Sequence, residues 1–267
     1  MSVASAFFKR DLSLNLSYRL SFTLQLFGIL FSVASSYFVS RMFGSTSIPQ
    51  LAPYGGDYFP FALIGIAFFG YMTISLTGFS ASIREGQVMG TLEIMLLSPT
   101  RLSIILLSSS LWSYFFTTLN VIVYMVLGVL IFGFDLSHAN IATSLVVLML
   151  SVACFSSIGI LSAAMVLVFK KGDPISTFYG SISSLLAGVF YPTTILPDQL
   201  QTLARFVPLT YALDGMRLAV LQGYGFSQLK MDIFVLVGFT VVMVPIATVV
   251  FRLALHRAKR EGSLVHY

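Results

Sequence analysis

Long apolar stretches without any Lys, Arg, Asp or Glu dominate the chain, and a charged residue bounds each of them. Six of these stretches are long enough to cross a membrane, over residues 20–40, 58–83, 102–134, 136–169, 174–197 and 233–251. A helix needs about 20 apolar residues to cross about 30 Å of hydrocarbon. The pattern therefore predicts an all-α polytopic membrane protein with six transmembrane helices, folded as a single membrane-spanning domain over residues 1–267.

The composition also indicates a lipid environment. Of the 267 residues, 57% are hydrophobic and 9% are charged, whereas about 25% are charged in an ordinary soluble domain. A soluble surface needs far more charged side chains than this, so a water-soluble fold is excluded. The basic residues are scattered and no aromatic residues are interleaved with them, so the net charge of +5 does not indicate a nucleic-acid partner.

The distribution of Lys and Arg predicts the direction of the crossings. With six crossings, eleven of the 15 Lys and Arg residues lie on the side of the two termini. The other four lie on the opposite side, namely Arg41, Arg205, Arg217 and Lys230. Because loops on the cytoplasmic side carry the excess of positive charge, both termini are expected in the cytoplasm. We therefore expect a multi-pass protein of the cell inner (plasma) membrane.

The segment before the first span has its own pattern. Phe8, Leu12, Leu16 and Leu20 recur every four residues, while the polar side chains lie elsewhere. This spacing predicts an amphipathic helix over residues 1–19 that lies in the membrane interface. The alternative is that the segment extends the first transmembrane helix into water.

The cytoplasmic segment 84–100 predicts a short helix between two spans. Gly90 can form a bend, Thr91 can cap the helix, and Glu93 places negative charge in its first turn. About two turns of helix are not stable alone in water. The apolar face of this helix has three members, Leu92, Met95 and Leu96. This face must be covered, either by the membrane domain itself or by a cytosolic partner.

The external segment 192–230 predicts two short amphipathic helices that are too short to span. Pro197 suits the first position of one helix, and Pro208 forces a break before the other. These helices either dip into the outer leaflet and return, or lie flat as a lid. Asp214 and Arg217 are spaced i, i+3, so they can neutralise each other where water is scarce or form a solvated surface pair.

Small residues recur every four positions within the fifth charge-free stretch, at Gly180, Ser184 and Gly188. This spacing lets two helix backbones approach closely in lipid. It predicts a packing face, which contacts either another helix of the same chain or a second copy of the subunit.

The sequence lacks the motifs of several enzyme and transporter classes. It contains no G-x-x-x-x-G-K-[ST] phosphate loop, no Gly-x-Ser-x-Gly elbow and no His residues at metal-ligand spacing. None of the six charge-free stretches holds a carboxylate that could titrate in a proton gradient. We therefore expect no catalytic residue, cofactor or metal on this chain. If the protein transports a substrate, we expect the energy for transport to come from outside this chain.

Two motifs stand out, one on each side of the predicted membrane. The cytoplasmic motif contains Arg84-Glu85, Gly90-Thr91-Leu92-Glu93 and Leu96-Leu97-Ser98-Pro99. The external motif contains Pro192, Leu196-Pro197, Pro208-Leu209-Thr210-Tyr211, Asp214-Gly215 and Arg217. In this order and topology they resemble the ABC type-2 (ABC-2) transporter permease family, which includes drug, lipid and polysaccharide exporter permeases, and the resemblance covers essentially the whole chain. One departure is that Gln87-Val88-Met89 makes the first motif less acidic than usual.

The resemblance implies the transmembrane permease subunit of an ATP-driven exporter, which is not itself an enzyme. Two permease subunits, identical or different, would pair in the membrane and bind separate cytosolic ABC ATPase subunits that hold ATP and Mg. The substrate would be an amphiphilic small molecule, a lipid or a glycan. The alternatives are a secondary transporter or channel, and a membrane assembly or scaffold protein.

The resemblance also implies roles for individual residues. Those expected to dock the ATPase are Glu85, Gly90, Thr91, Leu92, Glu93, Met95 and Leu96. Those expected in an external gate are Pro197, Pro208, Tyr211, Asp214 and Arg217. The small-residue face of Gly180, Ser184 and Gly188 would lie near the axis of the permease dimer.

Overall fold

The computed structural model describes residues 3–17, 19–43, 48–97, 100, 102–169 and 172–260. In these ranges the α-helices are, in chain order, α1 Val3–Ser17, α2 Arg19–Met42, α3 Tyr58–Val88, α4 Leu92–Leu97, α5 Leu102–Phe132, α6 Ile141–Phe169, α7 Pro174–Leu186, α8 Asp198–Ala204, α9 Pro208–Leu221 and α10 Lys230–Arg260. Short 3₁₀ helices occupy Pro49–Tyr54 and Thr193–Ile195. Every regular element in the described ranges is a helix, which confirms the prediction of an all-α protein.

Five of the described helices are long and apolar enough to cross a membrane, namely α2, α3, α5, α6 and α10. This confirms the prediction of a polytopic membrane protein. α3 is the central helix, since it packs against α2, α5, α6, α7 and α9 and is the most buried of the five. The other four expose many of their large apolar side chains, as expected for helices whose solvent is lipid.

The predicted fifth span, residues 174–197, is not one long helix. α7 has 13 residues, which correspond to about 20 Å of helix. Asp173, just before α7, contacts Ser80 near the end of α3, whereas Val189, just after it, lies against Gly65 nearer the start of α3. The chain after residue 173 therefore runs antiparallel to α3. It does so as a short helix followed by a turn, since α7 ends at Leu186, eleven residues before the end of the predicted span.

Two buried apolar clusters hold the helices together. One joins α3 to α2, α6, α9 and α10, with Met72, Phe155, Leu213 and Leu236 among its members. The other joins the end of α3 to α4, α5, α6 and the last turns of α10. We call the second region the α4 end of the bundle, and the opposite region, where α3 and α10 begin, the α9 end.

The helices α3 and α6 approach each other closely at Gly159 of α6. A Cβ atom added at Gly159 would overlap the carbonyl oxygen of Ser75 and lie 3.0 Å from that of Leu76. Both of these acceptors belong to the backbone of α3, so they cannot move away as a flexible side chain would. At Gly159 the backbone of α6 therefore packs directly on the backbone of α3.

The N-terminal helix α1 packs on α5. The ring of Phe8 lies 5.2 Å from that of Trp112 and 5.3 Å from that of Phe115, measured between centroids. Edge-to-face geometry of this kind is favourable for aromatic pairs. The interfacial position of α1 stays a prediction.

Candidate functional site

The helix α3 continues beyond its predicted span and ends in a turn at Gly90. Gly90 has a φ of +66°, a conformation that glycine adopts without strain. Its N–H donates to the Gln87 carbonyl at 3.2 Å, and the N–H of Thr91 donates to the Gly86 carbonyl at 2.9 Å. These two bonds form a Schellman ending. Gly90 thus reverses the chain so that α4 folds back beneath the end of α3.

Leu92 anchors α4 to the bundle. Its side chain is 1% exposed, and it packs beside Gly86 in the apolar cluster of the α4 end. Of the two covers expected for the apolar face of α4, the membrane domain is the one that Leu92 meets, because its side chain points into the bundle. Among the described side chains of this helix, Ile94 is 69% exposed and Leu97 is 86% exposed.

The other residues of the cytoplasmic motif surround this anchor. Glu85 is exposed on the last turn of α3, and Met95 is half-buried. Thr91 precedes α4, and its carbonyl accepts the N–H of Met95 at 3.0 Å. The side chains of Glu93 and Leu96, and residues 98 and 99, lie outside the described part of the chain, so the roles expected for them stay predictions.

Asp173 joins three helices at the α4 end. Its carboxylate caps α7 by accepting the N–H of Ser176 at 3.0 Å, and it also accepts the hydroxyls of Ser80 on α3 and Ser162 on α6. The hydroxyl of Ser176 donates to the Leu76 carbonyl of α3 at 2.7 Å. This cluster was not predicted from the sequence. An Asp followed by Pro174 does indicate a helix start, but no local pattern shows the two distant serines.

We expect Asp173→Asn to destabilise the protein by about 1–2 kcal/mol at neutral pH, because a neutral amide replaces a charged acceptor. Burial raises the pKa of the Asp173 carboxyl, but the hydrogen bonds from Ser162, Ser80 and Ser176 outweigh burial and lower it below its ordinary value of 3.8. The stabilisation is therefore fully present above pH 3.8 and is lost as the pH falls through the lowered pKa. Denaturation midpoints in detergent between pH 3 and 7 measure this difference.

Asp198→Asn is the matched control, because Asp198 is an exposed residue in the first turn of α8. We expect it to change stability by less than about 0.5 kcal/mol. Two results contradict the role given to Asp173. One is equal stability of the Asp173 and Asp198 variants at pH 7, and the other is a stability difference between the Asp173 variant and the wild type that grows as the pH falls.

The helices α8 and α9 follow each other at the α9 end and are joined by hydrogen bonds from the first turn of α9 to the end of α8. Pro208 is the first residue of α9, whereas Pro197 lies one residue before α8. The hydroxyl of Tyr211 donates to the Arg205 carbonyl at 3.0 Å, which fixes the end of α8 to α9. α9 packs against α3, α6 and α10, so of the two alternatives for this helix the contacts favour insertion between the spans over a flat lid.

Arg217 on α9 is buried, with 3% of its side chain exposed. Its guanidinium donates to the carbonyls of Gly188 at 2.9 Å, Val189 at 2.8 Å and Phe61 at 3.2 Å. It also lies 3.5 Å from the centroid of the Phe61 ring. Gly188 and Val189 belong to the non-helical chain after α7, whose carbonyls have no helical partner. Arg217 therefore stabilises the turn that ends α7.

The predicted pairing of Asp214 with Arg217 is not what the structure shows. Arg217 directs its hydrogen bonds to backbone carbonyls, while Asp214 accepts the hydroxyl of Tyr54 at 2.5 Å. Burial raises the pKa of Asp214, although the bond from Tyr54 and the charge of Arg217 act in the opposite direction. A solvated surface pair is also wrong, because Arg217 is buried. Asp214 instead joins α9 to the 3₁₀ helix Pro49–Tyr54.

The predicted small-residue face does not form along one helix. α7 ends at Leu186, and Gly188 lies in the following turn with a φ of +71°. Gly180 and Ser184 are half-buried. The apolar residues that α7 leaves exposed are Phe178, Ile182 and Leu185. The prediction of one helical face is therefore wrong for Gly188, because that residue supplies the left-handed turn.

Comparison with known protein families gives a match over most of the chain. The family model described as ABC-2 type transporter matches residues 5–221. This range contains both the cytoplasmic motif before α5 and the external motif on α8 and α9. A comparison with curated proteins found no match.

Proposed function

The chain belongs to the ABC-2 type transporter family, as its two motifs predict, and from this premise we propose that it is the permease subunit of an ATP-driven exporter. A separate cytosolic ABC ATPase, which holds ATP and Mg, supplies the energy, and this chain is not catalytic. The substrate is an amphiphilic small molecule, a lipid or a glycan. Both termini lie in the cytoplasm, and the protein resides in the inner (plasma) membrane.

The geometry of α4 is the observation that carries this proposal. Leu92 fixes the helix to the bundle, while Ile94 and Leu97 expose large apolar side chains. Glu85 is exposed at the same end of the bundle, on the last turn of α3. Exposed apolar residues on an anchored helix suit a groove on a partner protein. α4 is thus the coupling helix, with Ile94 and Leu97 in the ATPase groove and Leu92 passing the movement on to the bundle.

The movement reaches the rest of the bundle through the contacts of the α4 end. The cluster around Leu92 contains residues of α3, α5, α6 and α10. Asp173 then connects α3 and α6 to the first turn of α7. A displacement of α4 is therefore transmitted to α7, the helix that leaves Phe178, Ile182 and Leu185 uncovered.

The exposed side of α7 is the surface that we assign to the second permease subunit, whether identical or different. Lipid alone can cover apolar side chains, so exposure does not by itself identify a partner. The family supplies the expectation of a pair, and α7 is positioned to transmit movement to it. Gly180 and Ser184 lie beside this surface, while Gly188 shapes the turn behind it.

The pair of α8 and α9 serves as the external gate. Tyr211 holds α8 to α9, Asp214 holds α9 to the 3₁₀ helix Pro49–Tyr54, and Arg217 holds α9 to the turn after α7. Pro197 and Pro208 set where the two helices begin. Because these contacts join α9 to the chain that follows α7, a displacement of α7 also displaces α9.

We expect Ile94→Asp and Leu97→Asp to weaken ATPase recruitment at least about tenfold, because each buries a carboxylate in an apolar groove. The measurement is ATP hydrolysis that copurifies with the tagged permease from membranes of cells that also express the ATPase. The variants should insert into the membrane and elute from a size-exclusion column as the wild type does, since both side chains are exposed.

Ile195→Asp is the matched control, because Ile195 is an exposed isoleucine at the opposite end of the bundle. We expect this variant to retain full recruitment. Unchanged recruitment by the α4 variants, or an equal loss with the Ile195 variant, contradicts the docking role. Transport that continues after deletion of the ATPase identifies a secondary transporter instead.

A further inference from the structure

A mixed polar and aromatic cavity of about 380 Å³ lies at the α9 end of the bundle. It opens between the last turn of α2, the start of α3 and the loop after α5. Three candidate spans therefore begin or end around it, which places it at the boundary between hydrocarbon and water. The ATPase-docking helix α4 lies at the other end of α3 and takes no part in it.

The cavity contains a pre-oriented cation, Arg41. Its Nε and Nη2 atoms both donate to the Tyr37 hydroxyl, at 2.9 and 2.6 Å, and its guanidinium lies 5.1 Å from the centroid of the Tyr37 ring. Tyr37 is itself packed against Phe132 and Phe59, with centroids 4.6 and 5.6 Å away. Within the described residues Nη1 has no partner, so it can donate to a ligand.

Two carboxylates line the same cavity. Asp57 precedes α3 and makes no capping hydrogen bond with its side chain. Asp135, in the loop after α5, accepts the N–H and the hydroxyl of Ser137 at 2.8 and 3.0 Å. These bonds lower the pKa of Asp135, so it stays ionised. The cavity thus presents one fixed positive charge and two negative charges.

Apolar side chains continue from the cavity onto the outside of the bundle. Phe43 lines the cavity and is partly exposed, and Phe38 and Met42 are exposed on the last turns of α2. A ligand held here therefore meets charged groups inside the cavity and an apolar surface beside it. This is the arrangement expected for an amphiphile whose chains remain in the lipid.

We propose that this cavity binds the headgroup of a zwitterionic phospholipid from the leaflet at the α9 end. Arg41 binds the phosphate, because a guanidinium forms strong charge-assisted hydrogen bonds to phosphate oxygens. Asp57 and Asp135 receive the ammonium, and the acyl chains lie along Phe38 and Met42. An anionic headgroup without an ammonium leaves both carboxylates facing negative charge, so it binds more weakly.

The test measures binding to the purified full-length protein in a neutral detergent by native mass spectrometry. The probes are dioctanoyl phosphatidylethanolamine, dioctanoyl phosphatidylglycerol and soluble glycerophosphoethanolamine. We expect phosphatidylethanolamine to bind at least about fivefold more tightly than either of the other two. Arg41→Gln should weaken its binding about tenfold, the usual effect of losing one charge-assisted contact.

Two further variants separate the charges of the cavity. Arg205→Gln removes an exposed arginine outside the cavity and should leave binding unchanged. The double variant Asp57→Asn, Asp135→Asn should reduce the preference for phosphatidylethanolamine over phosphatidylglycerol to less than twofold. All four side chains are exposed, and size-exclusion profiles confirm that the variants fold.

Three results would overturn the proposal. One is unchanged phosphatidylethanolamine binding in Arg41→Gln, and another is equal binding of the two lipids by the wild type. The third is equally tight binding of glycerophosphoethanolamine, which identifies a soluble ligand rather than a membrane lipid. Loss of ATPase recruitment by the α4 variants affects none of these measurements.

Discussion

Arg217→Met is expected to destabilise the protein by about 3 kcal/mol or more, because it leaves the carbonyls of Gly188 and Val189 buried without the donor they have now. Each unsatisfied buried carbonyl costs about 1–3 kcal/mol, and the interaction with the Phe61 ring is lost as well. Such a loss is a large part of the 5–15 kcal/mol that stabilises a typical domain. Most of the variant protein should therefore misfold or aggregate after extraction.

The measurement is the fraction of monodisperse protein after detergent extraction, together with its midpoint of thermal denaturation. Arg217→Lys should be intermediate, since one ammonium retains the charge but cannot reach all three carbonyls with the geometry of a guanidinium. Arg205→Met is the matched control, because it removes an exposed arginine that follows α8. If the Arg217 and Arg205 methionine variants are equally stable, the role of Arg217 at the turn is wrong.

The role of Arg217 shows what the sequence could and could not predict at the α9 end. The i, i+3 spacing with Asp214 correctly placed both residues on one helix, and Pro208 correctly marked where that helix begins. The partners of Arg217 lie 28, 29 and 156 positions away in the chain. They are also backbone atoms, which have no sequence signature. The carbonyls of Gly188 and Val189 need a donor because the chain after α7 is not helical, and the sequence does not reveal that turn.

The α4 segment shows a second kind of limit. The bend at Gly90 and the short helix after Thr91 follow from local backbone preferences, so they were predictable. Which apolar residues of that helix are covered depends on where α3, α6 and α10 lie, and periodicity does not contain this information. Leu92 and Ile94 are two residues apart and equally apolar, yet only Leu92 points into the bundle.

The small residues of α7 show a third limit, because the repeat of Gly180, Ser184 and Gly188 runs past the end of the helix at Leu186. The repeat ending at Gly188 suggested a close helix contact on α7, but that glycine supplies a left-handed turn. The backbone contact between α3 and α6 occurs at Gly159, and Ala163 follows four residues later in the buried face of α6. This second repeat has the same spacing and was visible in the sequence, although neither repeat reveals its partner helix.

Gly159→Ala is expected to destabilise the protein by about 1–3 kcal/mol, the usual cost of forcing extra volume into a packed contact. The added Cβ overlaps the Ser75 carbonyl oxygen, so α3 and α6 must move apart along a contact that also aligns Ser162 with Asp173. Gly159→Val should cost more, because its branched side chain cannot rotate away from the backbone of α3. Midpoints of thermal denaturation in detergent measure both effects.

Gly238→Ala provides the matched control for the Gly159 variants. Gly238 lies within α10, and an added Cβ there meets no atom within 4 Å. Alanine is favoured over glycine inside a helix by about 1 kcal/mol, so this variant should be as stable as the wild type or slightly more stable. The same Gly→Ala substitution is thus expected to lower stability at position 159 and to leave it unchanged or raise it at position 238. The contact of Gly159 with the backbone of α3 is the reason for this difference. A Gly159→Ala protein as stable as Gly238→Ala requires the two helices to lie farther apart than the structure places them.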